Sequence, residues 1–247
     1  TLLDDAAWNA ATPVYYKAGE RSDYVAKLTD ALTAAYQANA DGITIVCRPG
    51  SDLGTMTHGH VADSITIYGN GAYISGGECD LEVDTYQFSR ETGKQTNDAV
   101  TELTGKTIAI NAYDVANLSV WGQRHTDATV NVNLTNCDGK DLGATNVQRV
   151  YISGTSGVNN FTLTDCDFIT DATAVYSNAD GAVAINNCSF KGSTVPVNFN
   201  HKASGTQTVT VSNSRFTNCG TTGDWAAFAA PVRFVNSAAG ALKVPID

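Results

Sequence analysis

Four aspartates between residues 165 and 180 are the best candidates in this chain for acid–base chemistry: Asp165, Asp167 and Asp171, with Asp180 further on. A glycoside hydrolase needs two carboxyl groups about 5–10 Å apart, one acting as acid and the other as base or nucleophile. Asp165 and Asp167 would share a face of an extended segment, because alternate side chains of a strand point the same way. Asp165 also occupies a repeat position that favours a structural role. If the chain is an enzyme, we expect Asp167 and Asp171 to be its two catalytic carboxyl groups.

Two basic pairs, Arg124-His125 and His201-Lys202, follow short apolar segments. A histidine beside a carboxylate can act as a general base, and His201 is therefore the third catalytic candidate. No Ser-His-Asp order is recognisable in the sequence. The alternative is that these histidines are ordinary surface residues.

The sequence gives no reason to expect an organic cofactor and predicts no dedicated metal site. Asp138 and Asp167 hold the same place in successive repeats. Such an edge of carboxylates would suit calcium, which binds oxygen ligands. Calcium is therefore the one ion left open, with a purely structural role as the alternative.

The elements that would position these residues are short alternating strands that recur down the chain. Most of them follow one another at steps of 22 to 29 residues, and one step is 43. Periodic strands of this length predict a right-handed parallel β-helix of about eight coils, an all-β solenoid. The apolar pairs that define the coils are Ile43/Ile45, Ile65/Ile67, Ile108/Ile110, Val132/Leu134, Phe161/Leu163, Val183/Ile185, Val209/Val211 and Val232/Phe234.

Small polar residues follow the last five pairs at a fixed distance. An amide at the same bend of every coil can bond to its neighbours above and below, so the pattern predicts an asparagine ladder. The next positions predict inward stacks of cysteine and, two residues on, of phenylalanine. The residues are Asn136, Asp165, Asn187, Asn213 and Asn236, then Cys137, Cys166 and Cys188, then Phe168, Phe190 and Phe216.

A second row of strands is predicted over residues 117–121, 149–152, 174–176 and 195–199. Alternation places Trp121, Tyr151, Tyr176 and Asn198 on its outer side. Sugars pack their apolar faces on aromatic rings, while amide and basic groups bond their hydroxyls. We therefore predict a ligand-binding surface from these four residues with Arg124, His125 and Lys202. The alternative is a random scatter of surface aromatics.

The chain is predicted to have two parts. Residues 1–40 form an N-terminal extension whose helix, from Asp23 to about Asn39, has an apolar face that would cap the first coil. Residues 41–247 form the β-helix, with an insertion at about 79–105 that walls a groove or is a surface excursion. We also expect the solenoid to continue in a longer parent protein, because no C-terminal cap is evident.

Composition excludes several functional classes. The formal net charge of −10 disfavours duplex nucleic acid and anionic membranes as partners. No apolar stretch approaches the roughly 20 residues of a membrane span. Of the six cysteines, three hold stack positions, Cys47 and Cys79 are either paired or free, and Cys219 is free. Acidity and few lysines favour a secreted or cell-surface location.

Several segments resemble the pectin-lyase-like superfamily of right-handed parallel β-helices: DGITIV (41–46), SITIYGNGAYI (64–74), FTLTDCDF (161–168), VAINNCSF (183–190) and VTVSNSRF (209–216). The resemblance covers about residues 23–237 and implies that fold. It does not imply one activity, because the superfamily includes pectate lyases, polygalacturonases, phage tailspikes and surface adhesins. The superfamily's catalytic motifs do not carry over to this sequence.

We therefore expect an adhesin-like module that binds carbohydrate or another surface ligand. The first alternative is a glycoside hydrolase or polysaccharide lyase, although the sequence leans away from an enzyme. The second is a structural solenoid that assembles end to end into a filament.

Overall fold

The structure is a computed structural model of the chain. It describes residues 14–17, 20–24, 42–47, 49–54, 59–60, 64–75, 80–82, 86–89, 94–99, 105–123, 127–139, 149–154, 156–169, 173–193, 195–220, 230–237 and 239–244.

The described residues form strands and bends, with no helix among them. The strands are β1 (Val14–Lys17), β2 (Glu20–Tyr24), β3 (Ile43–Val46), β4 (Gly59–His60), β5 (Ile65–Tyr73), β6 (Asp80–Glu82), β7 (Tyr86–Ser89), β8 (Lys94–Ala99), β9 (Thr107–Ala116), β10 (Ser119–Gln123), β11 (Thr129–Thr135), β12 (Asp138–Gly139), β13 (Val150–Ser153), β14 (Val158–Thr164), β15 (Asp167–Ile169), β16 (Val175–Ser177), β17 (Gly181–Asn186), β18 (Ser189–Lys191), β19 (Val197–His201), β20 (Thr206–Ser212), β21 (Arg215–Thr217), β22 (Val232–Asn236) and β23 (Ala241–Lys243).

Three sheets wind around one core. Sheet 1 has the order β2-β1-β3-β5-β9-β11-β14-β17-β20-β23, sheet 2 has β22-β19-β16-β13-β10-β6-β4, and sheet 3 has β12-β15-β18-β21. From β3 onward every pairing within these sheets is parallel, so successive strands belong to successive turns of a solenoid. The predicted all-β parallel solenoid is confirmed.

The solenoid has about five turns, fewer than the eight predicted. The prediction counted each apolar pair as one full turn, whereas only the later turns include strands of all three sheets. The last pair, Val232/Phe234, instead lies in β22 of sheet 2, next to Val197 and Phe199 of β19. Sheet 3, in the part of the chain that the structure describes, begins only at β12.

The register of β9 also differs from the prediction by two residues. Ile110 pairs with Ile65 and Val132, and Ala112 pairs with Ile67 and Leu134, so the apolar pair of this turn is Ile110/Ala112 rather than Ile108/Ile110. A bulge in β5, between Tyr68 and Ala72, accommodates the longer bend of this turn. Ala112 is small, so the pattern of large apolar residues did not indicate the pair Ile110/Ala112.

The inward residues of all three sheets form one core. Alternate residues of β11 and β14 are buried, as the alternation of their sequences requires. Phe168, Phe190 and Phe216 stack along the axis, with centroids 5.6 and 5.1 Å apart. Phe216 is only half-buried, because it lies in the last turn of this stack.

The bends after the sheet 1 strands carry the predicted asparagine ladder. Asn136 donates through Nδ2 to Asp114 Oδ1 at 3.0 Å, and Asn187 donates to Asp165 Oδ1 at 2.6 Å. These residues have φ between 52° and 56°, the left-handed region that Asn and Asp tolerate better than other non-glycine residues. The ladder is exposed rather than buried, and Asp114 joins it once the register of β9 is corrected. Asn236 does not belong to it, because it lies in β22.

The cysteine stack is confirmed as a row of free, buried thiols. Cys137, Cys166 and Cys188 each donate to two backbone carbonyls, one of them from the preceding turn. Burial raises the pKa of Cys137 to about 11. Cys47 is also a free buried thiol, with its pKa raised to about 12 by burial. Cys79 lies outside the described residues.

The N-terminal end of sheet 1 is covered by a hairpin. Strand β1 pairs antiparallel with β3 and with β2. Asp23 and Tyr24 lie in β2, so the predicted helix does not begin at Asp23; the rest of its range, 25–39, lies outside the described residues. Within the predicted insertion, Asp80–Glu82 is β6 of sheet 2, and β7 and β8 pair as a separate antiparallel hairpin.

Candidate ligand-binding surface

The predicted outer row of the second strand set is present on sheet 2. Trp121 pairs in register with Tyr151, Tyr151 with Tyr176, and Tyr176 with Asn198. Their inward neighbours, including Val120, Val150, Val175 and Val197, are buried in the core. Alternation therefore directs the row outward, as the sequence predicted. Asn198 in turn pairs with Arg233, which makes a fifth member.

We call these five residues the sheet 2 row: Trp121, Tyr151, Tyr176, Asn198 and Arg233. Neighbouring strands lie about 4.8 Å apart, so the row extends about 19 Å along the solenoid. All five side chains are half-buried. Each side chain is therefore accessible to a ligand and partly covered by the protein.

The two tyrosines form the centre of the row. Their rings are stacked, with centroids 4.4 Å apart and an angle of 14° between the planes. Burial raises the pKa of both phenols. Both hydroxyls therefore stay protonated through the neutral range and can donate as well as accept a hydrogen bond. Because the rings stack on each other, they offer their edges and hydroxyls to a ligand.

Arg233 brings a positive charge to the end of the row. Its Nη1 donates to Asn198 Oδ1 at 3.2 Å, so the guanidinium leans back over the preceding strand. Burial and, to a smaller extent, Tyr151 raise the pKa of Tyr176, and the charge of Arg233 opposes them. Arg233 was not among the predicted residues, because the spacing of Val232/Phe234 suggested a strand of sheet 1. The signal was the match between VNF (197–199) and VRF (232–234).

The structure places the predicted catalytic residues Asp167 and His201 on different sheets. Asp167 is exposed in β15 of sheet 3, where its Oδ1 accepts from Ser189 Oγ at 2.7 Å and its N–H donates to Asp138 Oδ1 at 3.3 Å. His201 is fully buried at the end of β19 in sheet 2 and contacts Asp180 at 2.9 Å. Asp165 belongs to the ladder. The structure therefore brings none of these carboxylates to the sheet 2 row.

Other predicted site residues are only partly placed. Lys202 is exposed after β19, and its N–H donates to Asn178 O at 3.0 Å. Asp171, Arg124 and His125 lie outside the described residues. Their predicted roles stay predictions.

Neither a metal site nor a membrane-spanning helix is found in the part of the chain that the structure describes. Within it, no three His, Cys, Asp or Glu side chains are grouped to hold a metal ion. Asp138 and Asp167 pair in register, as predicted, but Asp138 Oδ1 accepts from the Asp167 backbone. Within the same residues, no helix is long and apolar enough to cross a membrane.

The surface is thus an in-register polar and aromatic row on a parallel β-solenoid. Comparison of the chain with protein-family models, with curated proteins and with solved structures finds no match.

Proposed function

We propose that the protein is a β-solenoid module that binds carbohydrate through the sheet 2 row, and that it works outside the cell, secreted or on the cell surface. The observation that carries the proposal is the row itself, five outward side chains at one strand spacing from each other. The similarity of several segments to pectin-lyase-like β-helices is consistent with the proposal, and we propose an adhesin-like role for the module.

The chemistry of the row suits an extended glycan. Trp121 and the edges of Tyr151 and Tyr176 provide apolar surface for the C–H faces of sugar rings. The tyrosine hydroxyls, the Asn198 amide and the Arg233 guanidinium provide donors for sugar hydroxyls. An elongated ligand aligned with the solenoid axis would meet these groups in succession. A flat partner protein would need a broader apolar patch than a single row provides.

Binding is tested with a panel of plant, host and microbial oligosaccharides, measured by titration calorimetry or an immobilised array. For a glycan that binds, we expect Trp121→Ala and Tyr176→Ala each to weaken affinity at least about tenfold, the equivalent of about 1.4 kcal/mol. The matched control is Tyr113→Ala. Tyr113 and Tyr68 also form an in-register stacked pair, but on sheet 1, where they are 37% and 44% exposed.

Two results would contradict the proposal. One is equal loss of affinity in Tyr113→Ala and Tyr176→Ala, which would move the site off sheet 2. The other is the absence of binding to every glycan at high protein concentration.

The same panel of oligosaccharides distinguishes an enzyme from a binding module. Mass spectrometry after long incubation detects a shortened or an unsaturated product, and we expect neither. Of the predicted catalytic carboxylates, Asp165 lies in the ladder and Asp167 on sheet 3. The row itself continues in register from Trp121 to Glu82 of β6 and His60 of β4, so the assay for products is the test that decides between binding and catalysis.

A further inference from the structure

Two thiols of the cysteine stack lie in register on successive turns of the solenoid. Asp167 pairs with Ser189, and each of them directly follows a cysteine, so Cys166 and Cys188 lie side by side. The N–H of Ser189 donates to Cys166 O at 2.8 Å, which joins the two turns at the cysteines themselves. Neighbouring parallel strands lie about 4.8 Å apart. That spacing falls within the range of about 4.4–6.8 Å that a disulfide spans between α-carbons.

The side chains of these two cysteines share one orientation and one environment. Both are buried, and a hydrogen bond joins the two thiol groups. Each sulfur also contacts the backbone carbonyl two residues before it: Cys166 Sγ lies 3.3 Å from Thr164 O, and Cys188 Sγ lies 3.3 Å from Asn186 O. Rotation about the Cα–Cβ bonds would therefore bring one sulfur toward the other without a change of register.

Cys137 continues the stack but is joined differently to its neighbour. It precedes Asp138, which pairs in register with Asp167, so Cys137 lies next to Cys166 on the other side. At that turn the N–H of Asp167 donates to a side-chain atom, Asp138 Oδ1, at 3.3 Å. The hydrogen bond between thiols joins Cys166 to Cys188. A cysteine forms only one disulfide, so a bond between those two leaves Cys137 reduced.

We propose that Cys166 and Cys188 form a disulfide when the chain folds under oxidising conditions. The two cysteines are 22 residues apart in the sequence, so the bond would close one turn of the solenoid. The oxidising setting rests on the extracellular location in the proposed function. The pairing of these two cysteines does not depend on that location or on any glycan.

The oxidant is a low-molecular-weight disulfide, and the reaction has two steps. The Cys188 thiolate attacks one sulfur of the small disulfide, forming a mixed disulfide and releasing one small thiolate. The Cys166 thiolate then attacks the Cys188 sulfur, and the second small thiolate leaves. The protein gives up two thiol protons and two electrons, and the small disulfide is reduced to two thiols. The hydrogen bond from Cys166 lowers the pKa of Cys188, which favours Cys188 as the first attacker.

The product suits an apolar core because a disulfide carries no charge. Two thiolates around a soft metal ion would instead keep negative charge in the core, near the Asp165 carboxylate, and a buried charge without a partner is costly. Both thiols are buried once the turns have closed. We therefore expect the bond to form during folding, before the core excludes the oxidant.

The pairing is tested by refolding the reduced, denatured full chain in a mixture of oxidised and reduced glutathione. Free thiols are then alkylated in denaturant, and the peptides are mapped by mass spectrometry without reduction. We expect a cross-linked pair of peptides that contain Cys166 and Cys188, with Cys137 alkylated. The absence of this bond, or Cys166 bonded to Cys137 instead, would overturn the proposal. The map needs no variant, so it decides the proposal even if a cysteine variant does not fold.

The effect on stability is measured by thermal unfolding of the refolded protein with and without a reductant. We expect the reductant to lower the Tm of the wild type by about 5–10 °C. Cys188→Ala lacks the bond, and its Tm should not respond. The matched control is Cys137→Ala, which removes an equally buried thiol of the same stack and should respond as the wild type does. Equal responses in the two variants would overturn the pairing.

The outcomes keep this inference apart from the proposed function. A protein that contains the Cys166–Cys188 bond but binds no glycan would overturn only the proposed function. A protein that binds a glycan through the sheet 2 row but never forms the bond would overturn only the disulfide.

Discussion

At the scale of single residues, the backbone of the bends decides which side chains the repeat accepts. Asn187 has a φ of 54°, and its side chain donates to Asp165. A β-branched residue in this conformation costs about 1–2 kcal/mol, whereas glycine adopts it freely. The preference for Asn and Asp at these positions therefore reflects conformation as well as the hydrogen bonds between turns.

This argument predicts an order of stability at Asn187. We expect Asn187→Val to lower the free energy of unfolding by about 2–3 kcal/mol, since it loses both the bond and the tolerated conformation. Asn187→Gly should cost about 1 kcal/mol, because it loses only the bond. Urea unfolding followed by circular dichroism measures both. Equal losses in the two variants would show that the bond, not the backbone, sets the preference.

Thiol reactivity reports whether the turns are closed around the cysteine stack. Burial raises the pKa of Cys47 to about 12 and that of Cys137 to about 11, and a hydrogen bond to Cys188 together with burial raises the pKa of Cys166. Because the thiolate is the reactive form, these three should resist iodoacetamide near pH 8. We expect half-buried Cys219 to be modified before these three, as read by peptide mass spectrometry, and these three to react only in denaturant. Rapid modification of Cys137 in the folded protein would contradict a closed core.

At the scale of elements, the sequence predicted strands well and their sheet membership less well. Alternation located β11, β14 and β17 and the outward aromatic row, because each has two large apolar residues facing in. It failed at β9, where Ala112 replaces a large residue, and at β22, whose pattern suits either sheet. Spacing alone could not place His201 beside Asp180, because the contact depends on how two bends fold over the core.

The bulge between β5 and β9 provides a test at this scale. A side chain on Gly69 would overlap the carbonyl oxygen of Asp114 and lie 2.6 Å from Val115 Cβ. We expect Gly69→Ala to destabilise the protein by about 3 kcal/mol, since backbone must move to make room. The control is Gly105→Ala, where φ is +69° but nothing lies within 4 Å. It should cost only the conformational penalty of about 1 kcal/mol. Similar losses in both variants would show that the bulge is open enough to absorb a methyl group.

At the scale of the whole molecule, the two ends of the solenoid differ. At the N-terminal end of sheet 1, the edge of β3 is already paired with β1. At the other end, Phe216, Phe234 and Leu242 pack against the core but stay half-exposed. A head-to-tail filament that continues sheet 1 directly from β3 needs the edge that β1 occupies. Contact between two copies at the half-exposed end is isologous and closes after two subunits.

We therefore expect any concentration-dependent association of this chain to stop at a dimer, as measured by sedimentation equilibrium over a wide concentration range. Phe234→Glu places a charge at the half-exposed end and should shift the equilibrium toward monomer, because burying an unpaired charge between two copies is costly. Tyr113→Glu, on the outer face of sheet 1, is the control and should leave the equilibrium unchanged. Species larger than a dimer in the wild type would contradict this expectation and favour the filament.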